Sequence, residues 1–282
     1  MKQQEVVIRS EADSFFFNFK ELKEYKDLLK FLIIRGIKAK YAQSVLGIAW
    51  AIIQPLFATG IFTIVFGKVA GIETDNVPYT LFSFTTVVFW TYFNGALTDA
   101  TNSLVVNHNM ISKVYFPRVV LPLSAVVSKL LDLSIGLLML IPVFLYFDVQ
   151  LTSSFLLFPV IFCLLFLFTV GFGMMLSALA INYRDVKHAL TFMLQILMYL
   201  SPVVYPYSKV IKIVPEQYAT AFKYLYGLNP LVGILEGLRS VMINTVPLRT
   251  ELLAEAAIVS FITFVVGVRY FNKTQFVFAD VA

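Results

Sequence analysis

Long apolar stretches separated by short polar breaks dominate the order of residues in this chain. Six of them come close to the ~20 residues that an α-helix needs to cross the hydrocarbon core of a bilayer. The six stretches are residues 46–67, 79–98, 119–147, 153–180, 189–206 and 252–271. They are too long and too continuous for barrel strands, which alternate apolar and polar residues over about ten positions. The pattern predicts an all-α integral membrane protein with six transmembrane helices.

The part of the chain before the first apolar stretch is polar and basic. It is treated as an N-terminal segment (1–45) ahead of a transmembrane domain (46–282). Residues 15–35 place charged side chains on one helical face and apolar ones on the other. The apolar face consists of Leu22, Tyr25, Leu28, Leu29 and Leu32. We predict an amphipathic helix in the membrane interface, either a simple anchor or a docking surface for a soluble partner. The first twelve residues lack an apolar core, so we expect no cleavable signal peptide.

A second departure from simple spans lies over residues 207–250, between the fifth and sixth stretches. This region contains the apolar run LYGLNPLVGILEGLRSVMI, which is too short for two spans. The run is interrupted at Gly227, Pro230, Gly233 and Gly237. We predict re-entrant half-helices in the outer leaflet, which are tolerated only beside protein or a water-filled cavity. Because glycine and proline weaken a helix, we expect this region to be an outer gate that opens more easily than a continuous span.

Composition and charge agree with a membrane protein and suggest its orientation. The chain is 59% hydrophobic and 14% charged, with a mean hydropathy of +0.81, whereas soluble domains average roughly a quarter charged residues. If the N-terminus is cytoplasmic, fifteen of the 22 lysine and arginine residues fall on the inner side. The positive-inside rule then places both termini in the cytoplasm.

The sequence offers little catalytic chemistry. GIFTIVFGKV (60–69) resembles a phosphate-binding loop, but its glycine spacing is wrong and Val69 replaces the required Ser or Thr. The two histidines, His108 and His188, lie in separate loops without the spacing of metal ligands. Two charged pairs at i,i+3 are expected to neutralise each other within apolar segments; the alternative for both is an ion pathway. They are Lys129 with Asp132 and Glu236 with Arg239. We therefore expect neither a catalytic site nor a bound cofactor or metal.

Five motifs in order along the chain resemble one known family. They are KYAQSVLGIAWAIIQPL (40–56), VYFPRVVLPLSAVVSKLLD (114–132), NYRDVKHAL (182–190), LSPVVYP (200–206) and GLNPLVGILEGLR (227–239). Together they are similar to the membrane subunit of type-two ATP-binding-cassette exporters, in the branch that moves lipid-linked O-antigen, teichoic-acid or capsular chains. The resemblance covers roughly residues 20 to 280.

The resemblance implies a six-helix permease with an amphipathic N-terminal helix and short outer gate helices. It also implies a homodimer that works with two separate ATPase subunits, which bind the ATP and Mg²⁺. The substrate would be a glycan linked to polyprenyl pyrophosphate, taken from the cytoplasmic side of the bacterial inner membrane. Membrane lipid would surround the complex, and no nucleic acid is expected as a partner.

Two groups of residues are candidates for contact with such a substrate. The pyrophosphate needs cationic donors, and the candidates at the inner interface are Arg35, Lys38, Lys40, Lys113 and Arg118. The alternative for these residues is positive-inside anchoring alone. Sugar rings stack on aromatic faces, and stripes on the first and fifth helices offer Trp50, Gln54 and Phe57, and Phe192, Gln195 and Tyr199. The alternative for these stripes is a lipid-facing or packed surface.

A permease without a nucleotide site must receive its power stroke through an inner segment that an ATPase can grip. The loop over 99–118 is the first choice, and the amphipathic helix is the second. The loop offers Val106, His108, Met110, Ile111 and Lys113. The turn over 181–188 carries Arg184 and Asp185, which stand in the family's pattern, but it is short for an interface of about 20 residues a side.

Two other functions remain open from the sequence. A member of the same family could export a small hydrophobic drug or a lipid. A membrane-embedded transferase acting on a polyprenyl-linked sugar would need catalytic carboxylates facing one pocket. The aspartates Asp99, Asp132, Asp148 and Asp185 are instead scattered over different spans and sides, which disfavours the transferase.

Overall fold

The computed structural model describes residues 19–42 and 44–275, and these residues form helices and turns without a strand. The α-helices are α1 (Phe19–Glu24), α2 (Lys26–Tyr41), α3 (Trp50–Phe62), α4 (Tyr79–Val106), α5 (His108–Ile111), α6 (Val120–Ser128), α7 (Leu130–Tyr146), α8 (Phe158–Asn182), α9 (Asp185–Leu200), α10 (Tyr207–Ile213), α11 (Glu216–Gly227), α12 (Pro230–Met242) and α13 (Thr250–Thr274). A π-helical stretch, Thr63–Val69, extends α3. The all-α prediction is confirmed. The start of the predicted amphipathic helix (15–18) and the first twelve residues, where no cleavable signal peptide was expected, lie outside the described residues.

Within the described residues, four helical stretches are long and apolar enough to cross a membrane. They are Gly47–Val69, Val120–Tyr146, Ser153–Asn182 and Thr250–Thr274. These stretches correspond to the first, third, fourth and sixth predicted spans. The chain is therefore a multi-pass membrane protein. The second and fifth predicted spans differ from these four, each for its own physical reason.

The second predicted span is α4, which has 28 residues and is thus about 42 Å long at 1.5 Å per residue. It carries more polar side chains than the other spans because it lies at the centre of the bundle, in contact with α3, α6, α7, α8, α9 and α12. Several buried hydroxyls donate to carbonyl oxygens within the helix; for example, Thr85 donates to the carbonyl oxygen of Leu81 at 2.8 Å. These buried polar residues of α4 therefore face protein rather than lipid.

The fifth predicted span is helical only over α9 and ends at Leu200. Ser201 has an extended backbone, with φ −106° and ψ 154°, and it precedes Pro202, whose ring disfavours a helical conformation in the residue before it. The remaining residues of the stretch, 201–206, form a turn that leads into α10. The prediction of one apolar stretch was correct, but the helix covers only its first part.

Contacts between α4 and α8 show that these two helices run in the same direction. Phe89 lies against Phe158, and Phe93 stacks on Phe168 at 5.6 Å between ring centroids. The C-terminal ends of both helices therefore lie at one end of the bundle, together with α5 and the α8–α9 turn. We call this the basic end. The loop over 70–78 and the helices α10 and α11 lie at the other end, which we call the opposite end.

The N-terminal amphipathic segment forms two helices, α1 and α2, which meet at Tyr25. Its apolar face packs against the rest of the protein: Leu32 is buried, and Leu22, Leu28 and Leu29 pack against the core. The main contact of α2 is with α6. The segment is therefore attached to the bundle through its apolar face, and its charged face stays exposed.

Candidate functional site

The loop that follows α4 at the basic end contains the candidate coupling residues. Asn107 ends α4, because its side-chain amide donates to the carbonyl oxygen of Ser103 at 2.8 Å. The single turn α5 follows, and Ile111 is buried there with 6% exposure. Ile111 therefore anchors the loop and does not offer an exposed contact. Met110 also packs against the core.

The exposed surface of this loop differs from the one that the sequence suggested. Val106 and Lys113 are exposed as predicted, and His108 is half-buried. Val114 and Tyr115 are also exposed, at 59% and 78%, although neither was singled out from the sequence. Their position just before a proline, Pro117, could have indicated a non-helical and accessible segment. The two residues extend the apolar surface that a soluble partner would meet.

The turn between α8 and α9 is shorter than the eight residues expected. Only Tyr183 and Arg184 separate the two helices, and Tyr183, Arg184 and Asp185 are all exposed. Asp185 begins α9, where its negative charge stabilises the partial positive charge of the helix N-terminus. Because this turn lies at the basic end with α5, the structure brings Arg184 and Asp185 to the same end as the first-choice loop.

A cleft of about 430 Å³ lies between α2, α4 and α6 at the basic end. We call it the α2 cleft. Two of the five cations predicted to bind pyrophosphate, Arg35 and Lys40, line it together with Lys129. Arg35 donates to the side-chain oxygen of Asn107 at 3.2 Å, which links α2 to the start of the coupling loop. The α2 cleft is thus an opening beside the amphipathic helix whose lining includes charged side chains.

Two of the three cations of the α2 cleft, Lys40 and Lys129, are paired with carboxylates of other helices. Lys40 forms an ion pair with Asp132 at 2.5 Å, and Lys129 forms one with Asp99 at 2.7 Å. The expected pairing of Lys129 with Asp132 is therefore wrong. Lys129 lies at the break between α6 and α7. Its aliphatic chain passes over Gly95 of α4, 3.6 Å from the place that a Cβ atom would occupy there. Its ammonium group therefore reaches Asp99 of α4 instead.

Asp132 has a second partner in Tyr41, whose hydroxyl donates to it. Burial raises the pKa of the Tyr41 phenol above its usual value, and the hydrogen bond and negative charge of Asp132 raise this pKa further. The phenol therefore stays protonated at neutral pH and keeps donating. Lys40 and Tyr41 together fasten the end of α2 to α7.

The remaining predicted cations lie elsewhere at the basic end. Lys113 and Arg118 line a separate polar pocket of about 220 Å³ in the coupling loop, and Lys38 is exposed on α2. All five candidate cations lie at the basic end, but the sequence did not predict where each one lies around the bundle. The structure thus divides them between the α2 cleft, the loop pocket and an open helix face.

The two aromatic stripes remain uncovered in the single chain. Trp50 and Phe57 on α3 are 41% and 70% exposed, and Phe192 and Tyr199 on α9 are 66% and 56% exposed. The two glutamines within the stripes, Gln54 and Gln195, are exposed as well. Both α3 and α9 pack against α4. Each stripe is therefore a free surface beside the central helix, available to lipid, to a second copy or to a substrate.

At the opposite end, α12 contains three of the four predicted gate residues. Every residue of α12 is buried, and the side-chain oxygen of Asn229 caps the helix by accepting from the backbone N–H of Leu231 at 3.2 Å. Gly233 lies against the backbone of Leu252 on α13, and Gly237 lies against the side chain of Leu253. These glycines let α12 approach α13 closely. Gly227, at the end of α11, lies against Glu255 of α13.

The predicted pair of Glu236 and Arg239 is confirmed on α12. The guanidinium group lies 3.1 Å from the carboxylate, and the Arg239 side chain is fully buried. The sequence anticipated this pair because both residues lie on one helix at i,i+3, where local geometry brings them together.

The arrangement defines a class of protein: a helical membrane bundle with a polar, accessible end and a tightly packed opposite end. Within residues 19–42 and 44–275 there is no group of three or more His, Cys, Asp or Glu residues that could hold a metal ion. A family model described as ABC-2 type transporter matches residues 27–243. The chain belongs to this family.

Individual relatives have similar lengths and a common type of name. The O-antigen export system permease protein RfbA of Klebsiella pneumoniae is 28% identical over 256 residues, which cover 90% of this chain and 95% of the relative. The protein of the same name from Myxococcus xanthus is 27% identical and covers 85% of this chain and 89% of its own. The polysialic acid transport protein KpsM of Escherichia coli is 21% identical over 73% of this chain.

Proposed function

We propose that this chain is the permease subunit of an ATP-driven exporter that moves a lipid-linked polysaccharide from the cytoplasmic side across the inner membrane of a bacterium. The observation that carries the proposal is the similarity to O-antigen export permeases over 90% of this chain and 95% of the relative. A match over nearly the full length of both proteins supports a common role for the whole membrane domain, not for one motif alone.

We infer six spans with both termini in the cytoplasm. Four spans are apolar by themselves, α4 is long enough for a fifth and is shielded by its neighbours, and α9 with the 201–206 turn supplies the sixth. The positive-inside rule places the basic end in the cytoplasm. The opposite end, with α10, α11 and α12, then faces outward as the gate region.

A homodimer with two ATPase subunits accounts for the surfaces that one chain leaves open. The stripes on α3 and α9 would face each other across the copies and line the polymer path, where aromatic rings bind sugars and the two glutamines donate and accept hydrogen bonds. The loop over 99–118 would receive the ATPase, with Val106, Val114 and Tyr115 as exposed apolar contacts. ATP and Mg²⁺ would be bound by the partner.

The α2 cleft is the proposed loading site for the pyrophosphate head. Arg35 is the strongest candidate there, because its guanidinium group is exposed and its partner is a neutral amide rather than a carboxylate. Lys40 is held by Asp132 and would need to leave this carboxylate before it could bind a phosphate. Arg118 and Lys113 lie in the neighbouring loop and would contact the head as it enters.

Deletion of the gene in its source bacterium tests the proposal. Cells should lose surface polysaccharide and accumulate the lipid-linked glycan where a membrane-impermeant glycosidase cannot reach it. Expression of the intact chain should restore the surface polymer, and expression in cells whose partner ATPase is inactive should not. Normal surface polysaccharide in the deletion strain would refute the proposal. If the only change in the deletion strain is a greater sensitivity to hydrophobic drugs, the result favours an exporter of small hydrophobic molecules instead.

A further inference from the structure

The turn over 201–206 is an unusual segment for a membrane protein. It has no regular backbone structure, yet Ser201, Val203 and Val204 have exposures of 0%, 0% and 1%. Irregular backbone at membrane depth leaves peptide groups without helical partners, and each unsatisfied group is costly in a place without water. Other parts of the protein must therefore supply hydrogen bonds to this turn.

Glu236 and Arg239 of α12 supply two of these bonds. Arg239 donates from Nη2 to the carbonyl oxygen of Pro202 at 2.6 Å. Glu236 accepts at Oε1 from the backbone N–H of Tyr207, also at 2.6 Å. The pair thus holds the turn near both of its ends. Arg239 binds a carbonyl oxygen with its positive group, and Glu236 binds a backbone N–H with its negative group.

The same arginine ties the turn to the central helix. Its Nε donates to the hydroxyl oxygen of Thr86 on α4 at 3.2 Å, and its guanidinium carbon lies 3.6 Å from the centre of the Phe82 ring. A separate bond from α4 reaches the turn directly, because the Tyr79 hydroxyl donates to the carbonyl oxygen of Val204 at 2.6 Å. Three elements, namely α4, α12 and the turn, therefore meet at Arg239.

Burial of this pair is not explained by stability alone. A buried ion pair can often be replaced by apolar residues of similar volume without loss of stability, since removing two charges from water costs as much as their attraction returns. What apolar residues cannot replace is the pair of bonds to the backbone of the turn. The geometry thus separates two roles for the pair, neutralisation of charge and fixation of the turn.

We propose that Glu236 and Arg239 are positioning residues that fix the 201–206 turn to α12 and α4. They thereby keep the protein closed to water at the outer end of α9 in the resting state. The outer gate then opens by movement of α11, which is mostly exposed, while α12 and the turn stay in place. The role of this region as a gate rests on the proposed function; the fixation of the turn does not.

The accessibility of Val204 to water tests the proposal. In a Cys163→Ala background, which removes the single cysteine of the chain, Val204→Cys should react slowly with a membrane-impermeant maleimide added outside intact cells. In the presence of Glu236→Gln and Arg239→Leu together, the reaction should become about tenfold faster or more, because the bond to the Pro202 carbonyl oxygen is lost and the acceptor for the Tyr207 N–H loses its negative charge. An unchanged rate in this variant, with normal amounts of monodisperse protein, would overturn the proposal.

Threonines on α4 provide matched variants that leave both charges in place. Thr86→Val removes the acceptor for Arg239 and should raise the labelling rate several-fold, whereas Thr86→Ser keeps the hydroxyl and should restore the slow rate. Thr85→Val is the control: Thr85 is equally buried, and its hydroxyl donates to its own helix. Equal labelling of the Thr86→Val and Thr85→Val proteins would contradict a role for this contact.

Labelling needs neither substrate nor ATP, so it separates this proposal from the proposed function. If the Glu236→Gln/Arg239→Leu protein labels rapidly, the turn is fixed by the pair, whatever the substrate is. If the intact chain fails to export polysaccharide in the deletion strain, the proposed function fails and the labelling result still stands.

Discussion

Ion pairs hold both ends of the bundle together, but in opposite surroundings. At the opposite end, the side chain of Arg239 is fully buried and that of Glu236 is 8% exposed. At the basic end, Lys40 keeps 32% of its side chain exposed and Asp99 keeps 48%. Water and salt screen exposed charges far more than buried ones. The ion pair at the opposite end therefore keeps one arrangement, whereas the charged groups at the basic end can exchange partners at a low cost in free energy.

This contrast extends to whole helices at the opposite end. Every residue of α12 is buried, while its neighbour α11 exposes Tyr218, Tyr224 and Leu225 by 60% or more. Glycine and proline suggested that α12 would be the weak, opening part of the gate. Its glycines are instead points of close contact with α13. In the structure, α12 is the packed element of this region and α11 is the exposed one.

The largest effect is expected at the packed end. Gly233→Leu would drive a side chain into the backbone of Leu252, and Gly237→Leu would meet Leu253. Neither helix can yield without breaking the packing of α12, so we expect loss of folded protein and complete loss of export. The measurements are the amount of monodisperse permease after detergent extraction and the surface polysaccharide of the cells.

Gly60→Leu on α3 is the control for that experiment, because no atom lies within 4 Å of the added carbon there. It should leave the amount of folded protein unchanged. Normal folding and export by the Gly233→Leu/Gly237→Leu protein would show that α12 is loosely held, and the contrast between the two ends would then be wrong.

The next largest effect is expected in the α2 cleft and the loop pocket. Arg35→Gln removes an exposed cationic group and Arg118→Gln a half-buried one, and glutamine can still form hydrogen bonds at both positions, so folding should be unaffected. Loading of a pyrophosphate head should weaken, since each charge-assisted bond to phosphate contributes strongly to binding. We expect export to fall about tenfold when both are changed, measured as the rate at which labelled polymer reaches the cell surface.

Lys38→Gln is the comparison for these variants: Lys38 was one of the five predicted cations, but it is exposed on α2 outside the α2 cleft and the loop pocket. If Arg35→Gln and Arg118→Gln insert normally and export at the parental rate, the cations serve positive-inside anchoring alone. An equal loss in Lys38→Gln would indicate a general effect of charge rather than a site.

The sequence predicted those parts of the molecule that depend on local properties. Length and hydrophobicity identified the apolar stretches, and i,i+3 spacing identified the pair of Glu236 and Arg239. Contacts between distant segments were not accessible in this way. Lys129 was assigned to Asp132, its neighbour along the chain, whereas in the folded bundle it reaches Asp99 on α4.

The candidate site shows the same limit. Charge distribution placed Arg35 and Lys113 at one end of the bundle, but the packing of α2 against α6 decides which cations share a cleft. Ile111 was chosen as a surface contact from its apolar character, and it is buried because the single turn of α5 folds back onto the core. Apolar character alone cannot separate an anchor from a docking residue.

A smaller effect is expected for coupling to the ATPase. Lys113→Glu reverses an exposed charge beside Val114 and Tyr115, so it should weaken co-purification with the ATPase several-fold without changing the amount of permease. Arg184→Glu, on the α8–α9 turn, should disturb membrane insertion more than ATPase binding, because it removes a positive charge from a short inner turn. Co-purification and protease accessibility of the turn separate these two outcomes.

This ranking of the two coupling segments would be reversed by one combination of results. Changes confined to residues 181–188 would abolish ATPase binding and export, while proteins altered over 106–113 would keep full activity. The α8–α9 turn would then be the coupling element. Substitutions of the exposed residues Val106 and Lys113 should not lower the yield of folded protein in the way that Gly233→Leu does.

The smallest effect is expected for the ion pair between Lys40 and Asp132, and it tests the contrast between the two ends most directly. In a double-mutant cycle with Lys40→Met and Asp132→Asn, the coupling in the free energy of unfolding should be about 1 kcal/mol at low salt. Asn at position 132 retains an acceptor for Tyr41, so the cycle isolates the charge pair. In 1 M NaCl the screening length falls to about 3 Å, and most of this coupling should disappear.

A cycle on Glu236 and Arg239 should give a coupling energy that salt leaves nearly unchanged, because no water or ion reaches the buried guanidinium group. Equal salt dependence at the two ends, measured by reversible unfolding in mixed micelles, would mean that burial does not distinguish them.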